Sequence, residues 1–170
     1  HMSTDCVFDG AKDSPYPPND TPNPLGVYGK TKLQGEVAVR EGTERSLVVR
    51  VSWIFSRFGG NFVRTMLRVA QTRDAVSVVS DQVGCPTHAP DLARALITIA
   101  EQAAKPGFGS WGVYHVAGAG ETDRASMTRR IYEVSKELGG PVADVNGILT
   151  ADYPTPAQRP LNARLDMAET

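Results

Sequence analysis

The hydrophobic positions of this chain fall into short β-branched runs and longer stripes of helical spacing. Leu47–Phe55 (LVVRVSWIF) is β-branched and aromatic and predicts a buried strand. Val76–Val79 predicts a short strand, and Val113–Ala117, set between glycines, another. Ser3–Phe8 predicts the end of a strand closed by the turn pair Asp9-Gly10. Val27–Arg40, rich in Lys, Gln, Glu and Ala, predicts a helix stopped by Gly42. After Gly59-Gly60, Asn61 can cap a helix reaching Thr72, with Phe62, Met66, Val69 and Ala70 on one face. Pro90-Asp91 opens a helix carrying Leu92, Ala95, Leu96, Ile99 and Ala103, and Met127, Ile131, Val134 and Leu138 mark a further one. Leu161–Thr170 predicts a helix that is just beginning. Ala11–Leu25 holds Pro15, Pro17, Pro18, Pro22 and Pro24 and reads as a long surface loop of the kind that often carries function.

Strands alternating with helices predict an α/β fold with a largely parallel sheet. The chain has 170 residues, room for one ordinary domain, and its 41% hydrophobic content is that of a globular protein. Lys and Arg number 18 against 19 Asp and Glu, so the basic excess of a nucleic-acid binder is missing. The longest apolar stretch, Ala95–Ala100, falls far short of the roughly 20 residues of a membrane span. Neither nucleic acid nor membrane is an expected partner. Cys6 and Cys85 lack metal-type spacing and are expected as reduced thiols of a cytoplasmic protein, and the first residues carry no signal-peptide pattern. The strand ending at Phe8 has almost nothing before it, so the chain reads as part of a longer protein.

Candidate chemistry lies in Tyr28-Gly29-Lys30-Thr31-Lys32. Positions four apart on a helix share a face, so the Tyr28 hydroxyl and the Lys32 ammonium can approach one point. A nearby positive charge stabilises a phenolate and brings tyrosine toward useful proton-transfer chemistry. That suits interconversion of a carbonyl and an alcohol. On its own the spacing is common on solvated helix faces. The Ser3/Thr4 pair at a strand end could add a hydroxyl donor for the carbonyl.

The segments STDCVFDG (Ser3–Gly10), PLGVYGKTKLQGE (Pro24–Glu36), RVSWIF (Arg50–Phe55), NFVRTML (Asn61–Leu67), VSDQVGCPT (Val79–Thr87) and PTPAQRPLNARL (Pro154–Leu165) occur in this order. Together they resemble the dTDP-4-dehydrorhamnose reductase family of extended short-chain dehydrogenases/reductases, over nearly the whole chain. The resemblance implies a partial Rossmann-like parallel sheet with a small C-terminal substrate-binding subdomain. Residues 1–60 are then expected in the catalytic Rossmann-type domain and 61–170 mainly in the subdomain, with a strand near 113–117 returning to the first. It also implies NADPH-dependent reduction of the C4 ketone of dTDP-4-dehydro-L-rhamnose. By position, Tyr28 becomes the proton donor, Lys32 the residue that tunes it and binds the nicotinamide ribose, and Thr4 the donor to the sugar carbonyl. Trp53 matches a sugar-contacting tryptophan, with a core tryptophan as the plain alternative. Asn61 begins a helix whose free N–H groups suit a diphosphate; simple capping is the plain alternative, and both can hold at once. Arg159 matches a nucleotide-binding arginine, and Gln82 and Phe62 are weaker substrate-binding candidates, Phe62 also suiting the core.

Three departures qualify the resemblance: the family's N-terminal cofactor-binding half is absent, its usual C-terminal helix is cut short, and one position carries a different residue. No G-x-x-G-x-x-G phosphate loop occurs, and Gly118-Ala119-Gly120 has the wrong spacing for one. The chain alone is therefore expected to bind NADPH poorly, NADH stays open, and Mg2+ is admitted by the resemblance without being readable here. Uncovered apolar faces call for the missing half, a second copy in a homo-oligomer, or another partner. Cys6 stands where the family usually has tyrosine. The competing expectations are a non-catalytic nucleotide-sugar-binding or regulatory module and another extended-family epimerase or dehydratase.

Overall fold

The computed structural model of the chain describes residues 1–168. From the N-terminus come β1 (Met2–Thr4), a 3-10 turn (Asp5–Val7), α1 (Val27–Gly42), β2 (Leu47–Val51) and β3 (Ile54–Phe55). Next are α2 (Phe62–Val69), β4 (Ala75–Val79), β5 (Val83–Gly84), β6 (Thr87–His88) and α3 (Ala89–Ala103). The last part holds β7 (Gly112–Val116), β8 (Thr122–Asp123), α4 (Arg124–Glu137), β9 (Asp144–Ile148), a 3-10 turn (Thr150–Asp152) and β10 (Asn162–Ala163).

The result is a mixed α/β fold built on parallel pairing. β1, β2 and β7 form one sheet in that order, with Thr4 opposite Val51 and Val51 opposite Val116. Parallel neighbours need crossover connections, which α1 and α3 supply. Val49 and Val51 of β2 pack on Leu92, with Leu96, Ile99 and Val116 around them, so the α3 stripe covers this sheet. A second layer pairs β4 with β9, also in parallel. There Val76 and Val78 meet Ala125 and Tyr132 of α4, flanked by Phe62, Met66 and Val69 of α2. β5 lies between β10 and β8, and β3 pairs with β6.

Three sequence expectations change. Ser3–Phe8 is not extended throughout: β1 stops at Thr4, whose side chain accepts a hydrogen bond from Cys6 N and caps a 3-10 turn. Leu47–Phe55 breaks after Val51, because Ser52 bonds the Asp5 carboxylate and Trp53 takes a left-handed φ of 39°. The helix expected at Leu161–Thr170 is absent over the described residues. Asn162–Ala163 instead pairs with β5, and Leu165 bridges to Tyr16. Residues 169 and 170 lie outside the described residues. This returning segment closes a core of Val7, Phe8, Tyr16 and Leu165, in which the Phe8 and Tyr16 rings stack at 4.3 Å. The Pro-rich stretch is thus irregular but pinned. Both cysteines are free thiols, Cys6 half-buried and Cys85 buried.

Candidate active site

Three contacts on successive turns seat α1 against β1 and β2. At the first turn, a Cβ on Gly29 would overlap the Cys6 carbonyl oxygen, so only glycine permits this approach. One turn on, the Lys32 ammonium donates to the Met2 carbonyl at 2.7 Å. At the next, the buried Glu36 carboxylate accepts from Arg50 Nε at 2.9 Å and Nη2 at 2.7 Å, and from the Ser3 hydroxyl. Arg50 also donates to the Pro18 carbonyl at 3.1 Å, which ties the Pro-rich loop to the same pair.

This seating leaves Tyr28 57% exposed at the start of α1. It lines a cavity of about 690 Å³ with Cys6, Leu25, Lys30, Gln158, Arg159 and Pro160. Lys32 keeps two of its three N–H donors free of the Met2 contact. Ser3 faces α1, and the next residue, Thr4, points to the other side of β1, as strand alternation requires. Thr4 is buried, and its hydroxyl donates to Asp5 Oδ1 at 2.9 Å. Asp5 also accepts from Ser52 at 2.7 Å, yet burial outweighs these bonds and pushes its carboxyl up. Burial, with Asp5 nearby, pushes the Cys6 thiol up to about 11, so it stays protonated at neutral pH.

A second cavity, of about 700 Å³, adjoins the first across the shared Pro156, Ala157 and Arg159. Phe62, Gln82, Tyr153 and Arg124 line its far side. Gln82 donates to the Thr150 hydroxyl at 3.1 Å. Phe62, Gln82 and Arg159 are therefore gathered at one cavity, and Tyr28 and Arg159 at its neighbour. Asn61 lines neither cavity: its oxygen accepts from Arg64 N at 3.2 Å and its amide donates to the Ser56 carbonyl at 2.6 Å, the pattern of a helix cap.

Trp53 packs against two neighbours. The Gly84 backbone lies close to the indole, since a Cβ there would come within 2.5–2.8 Å of Cε2, Nε1 and Cζ2. The Arg124 guanidinium lies over the ring, 3.4 Å from its centroid and 4.9 Å from that of Phe62. Burial pushes Arg124 down to about 10; Asp5 opposes that shift and Arg159 adds to it. Arg124 remains a cation at neutral pH.

Sequence reasoning passed over Arg124 and Asp5. Asp5 gives no signal, as an acidic residue beside a turn is ordinary. Arg124 does give one: it follows the capping Asp123 at the start of α4, where the helix dipole disfavours a cation. Such a local conflict often marks a functional position.

The family model described as RmlD substrate binding domain matches residues 1–170. The chain belongs to that family. It is 45% identical over 166 residues to a dTDP-4-dehydrorhamnose reductase of Sinorhizobium fredii, covering 97% of this chain and 56% of that protein. Among solved structures, a dTDP-4-dehydrorhamnose reductase of Bacillus anthracis in complex with NADP superposes with a TM-score of 0.89 at 29% identity. That match covers 98% of this chain and 56% of the other. The corresponding protein of Clostridium acetobutylicum gives 0.88 at 33% identity, over 97% and 55% of the two chains. The chain thus spans about half the length of the relatives it matches. Among the described residues no helix is long and apolar enough to cross a membrane, and no three His, Cys, Asp or Glu side chains gather as a metal site.

Proposed function

We propose that this chain is the substrate-binding and proton-delivering portion of an enzyme that reduces the C4 ketone of dTDP-4-dehydro-L-rhamnose to dTDP-L-rhamnose with NADPH. The observation that carries the reading is the seating of α1. Gly29 and Lys32 press its first turns onto the Cys6 backbone and β1, so an exposed tyrosine faces a cavity shared with Cys6 and Arg159.

Each side chain then has a task. Tyr28 delivers a proton to the ketone oxygen as it gains charge. Thr4 steadies that oxygen by turning its hydroxyl from Asp5 toward the substrate. Arg159 binds the diphosphate, with Gln82 and Phe62 on the same wall. Trp53 lines neither cavity itself and reaches the second one through Arg124, which lies over its ring. The free Lys32 donors and the Tyr28 hydroxyl suit a ribose diol, which fits the nicotinamide end of NADPH. NADPH, when bound, supplies the hydride. No glycine-rich phosphate loop lies in this chain, so a further part of the enzyme must hold the adenosine and phosphates. A nucleotide sugar and a reduced nicotinamide cofactor assign the reaction to the cytoplasm.

The test is an assay of the complete protein. NADPH oxidation dependent on dTDP-4-dehydro-L-rhamnose, with dTDP-rhamnose raising the unfolding temperature more than UDP-glucose does, is the expected outcome. Equal shifts with the two nucleotide sugars and no NADPH oxidation would overturn the proposal.

A further inference from the structure

Arg124 and Arg159 line one cavity of about 700 Å³, and neither guanidinium makes a hydrogen bond or ion pair among the described residues. The acidic group acting on Arg124 is Asp5, and that carboxylate is already occupied by Ser52 and Thr4. Two cations therefore share a cleft with no anion committed to either.

The setting of Arg124 makes this more than a loose surface charge. Its Cζ lies over the Trp53 ring, 3.4 Å from the centroid, and 4.9 Å from that of Phe62, so two aromatic rings hold the guanidinium. Its N–H donors meet no acceptor among the described residues. A planar fork held in this way is preorganised for bidentate contact with phosphate, because the aromatic faces have already restricted its rotamers. Its place at the start of α4 adds a cost that an anion would relieve, since the helix terminus and the arginine both favour negative charge.

We infer that Arg124 is a substrate-binding residue that holds the nucleotide-sugar diphosphate together with Arg159, and that Trp53 is the positioning residue that orients it. This rests on the nucleotide-sugar reading above and deepens it by naming a second phosphate ligand. The role of Trp53 changes accordingly: the indole acts on the substrate through the guanidinium lying on it, in place of offering the sugar an open face.

The experiment is calorimetric titration of the complete protein with thymidine diphosphate and with thymidine, which has no phosphate. Arg124→Gln is expected to weaken thymidine diphosphate at least about tenfold and to leave thymidine within about twofold. Arg124→Lys keeps the charge but loses the fork, and is expected to recover only part of the affinity. Trp53→Leu is expected to weaken thymidine diphosphate in the unsubstituted background and to add nothing further in the Arg124→Gln background. A purely structural tryptophan would give independent, additive losses. Should Arg124→Gln fail to unfold cooperatively, Arg124→Met, which keeps the stem over the indole, decides by the same thresholds. Unchanged thymidine diphosphate affinity in these variants, with Arg159→Gln still weakening it, overturns the Arg124 assignment and leaves the reductase reading standing. Equal losses for both ligands also overturn it. Failure of the unsubstituted protein to bind thymidine diphosphate overturns both.

Discussion

Two arginines show how the same side chain builds the scaffold in one place and a site in another. Arg50 is buried under α1, paired bidentately with an equally buried Glu36 and bonded to the Pro18 carbonyl. Arg124 is half-buried, lies over the Trp53 and Phe62 rings, and has no carboxylate bonded to it. Taking a charge out of water is costly unless its donors are met. At Arg50 they are met within the fold, and the pair fixes how α1 lies on the sheet. At Arg124 the aromatic faces hold the cation while its donors stay open to a cleft. Satisfied donors mark structure, and open ones mark where a ligand is expected.

The comparison can be broken most forcefully at Glu36. Glu36→Ala leaves Arg50 buried without its counterion, and should cost about 3–5 kcal/mol in urea unfolding. A loss below about 1 kcal/mol, the range of exposed pairs, would show that the pair is not the clamp described here.

The second break is by acid. His115 is fully buried with Nε2 unpartnered among the described residues. Burial and the Arg50 charge push it from 6.5 down to about 4. In the unfolded chain it takes a proton as pH falls through 6.5, whereas the folded chain resists until about 4. Stability is therefore retained above pH 6.5 and lost between those values, by up to about 3 kcal/mol. Asp5 works in the opposite sense, because its raised carboxyl takes a proton first in the folded state. Comparison of the unfolding free energies of the unsubstituted chain and His115→Phe across this range isolates the histidine. An identical pH slope in the two would contradict the assignment.

A smaller effect is expected at Gly29. Gly29→Ala forces α1 away from the Cys6 carbonyl, at about 1–3 kcal/mol of overpacking strain. Because Tyr28 moves with it, turnover by the complete protein should fall by more than its loss of folded fraction explains. Equal losses would mean that the close approach serves stability alone. The smallest effect belongs to the open arginine: Arg124→Met should change unfolding free energy by no more than about 1 kcal/mol, since no hydrogen bond is broken and Asp5 keeps its bonds from Ser52 and Thr4.

Much of the scaffold could be read from residue pattern. A long stripe such as Leu92, Leu96 and Ile99 carries enough repeats to declare a period, and the β-branched run at Val76–Val79 declares a strand by composition; both pack in cores. Strands of two residues, such as Val83–Gly84, Thr87–His88 and Asn162–Ala163, are too short to show any. Asp144–Ile148 (DVNGI) hides its alternation behind Asn146-Gly147, a turn-like pair held in β9 by its partner strand β4. Leu161–Leu165 looks helical in composition, but β5 and Tyr16 set its backbone, and such long-range pairing leaves no local trace.

Tyr28 and Lys32 could be singled out from the sequence because their spacing is local, one helical turn apart on α1. Arg124, Trp53 and Gly84 come together only through the tertiary fold, which spacing along the chain does not report.

The most direct measurement is the rate of ketone reduction by the complete protein carrying Tyr28→Phe. The substitution removes one hydroxyl from an exposed ring and leaves the α1 contacts at Gly29, Lys32 and Glu36 in place. The account predicts a turnover loss of about 10²–10⁴-fold with substrate affinity nearly unchanged. A rate within about twofold of the unsubstituted enzyme would show that the proton comes from elsewhere.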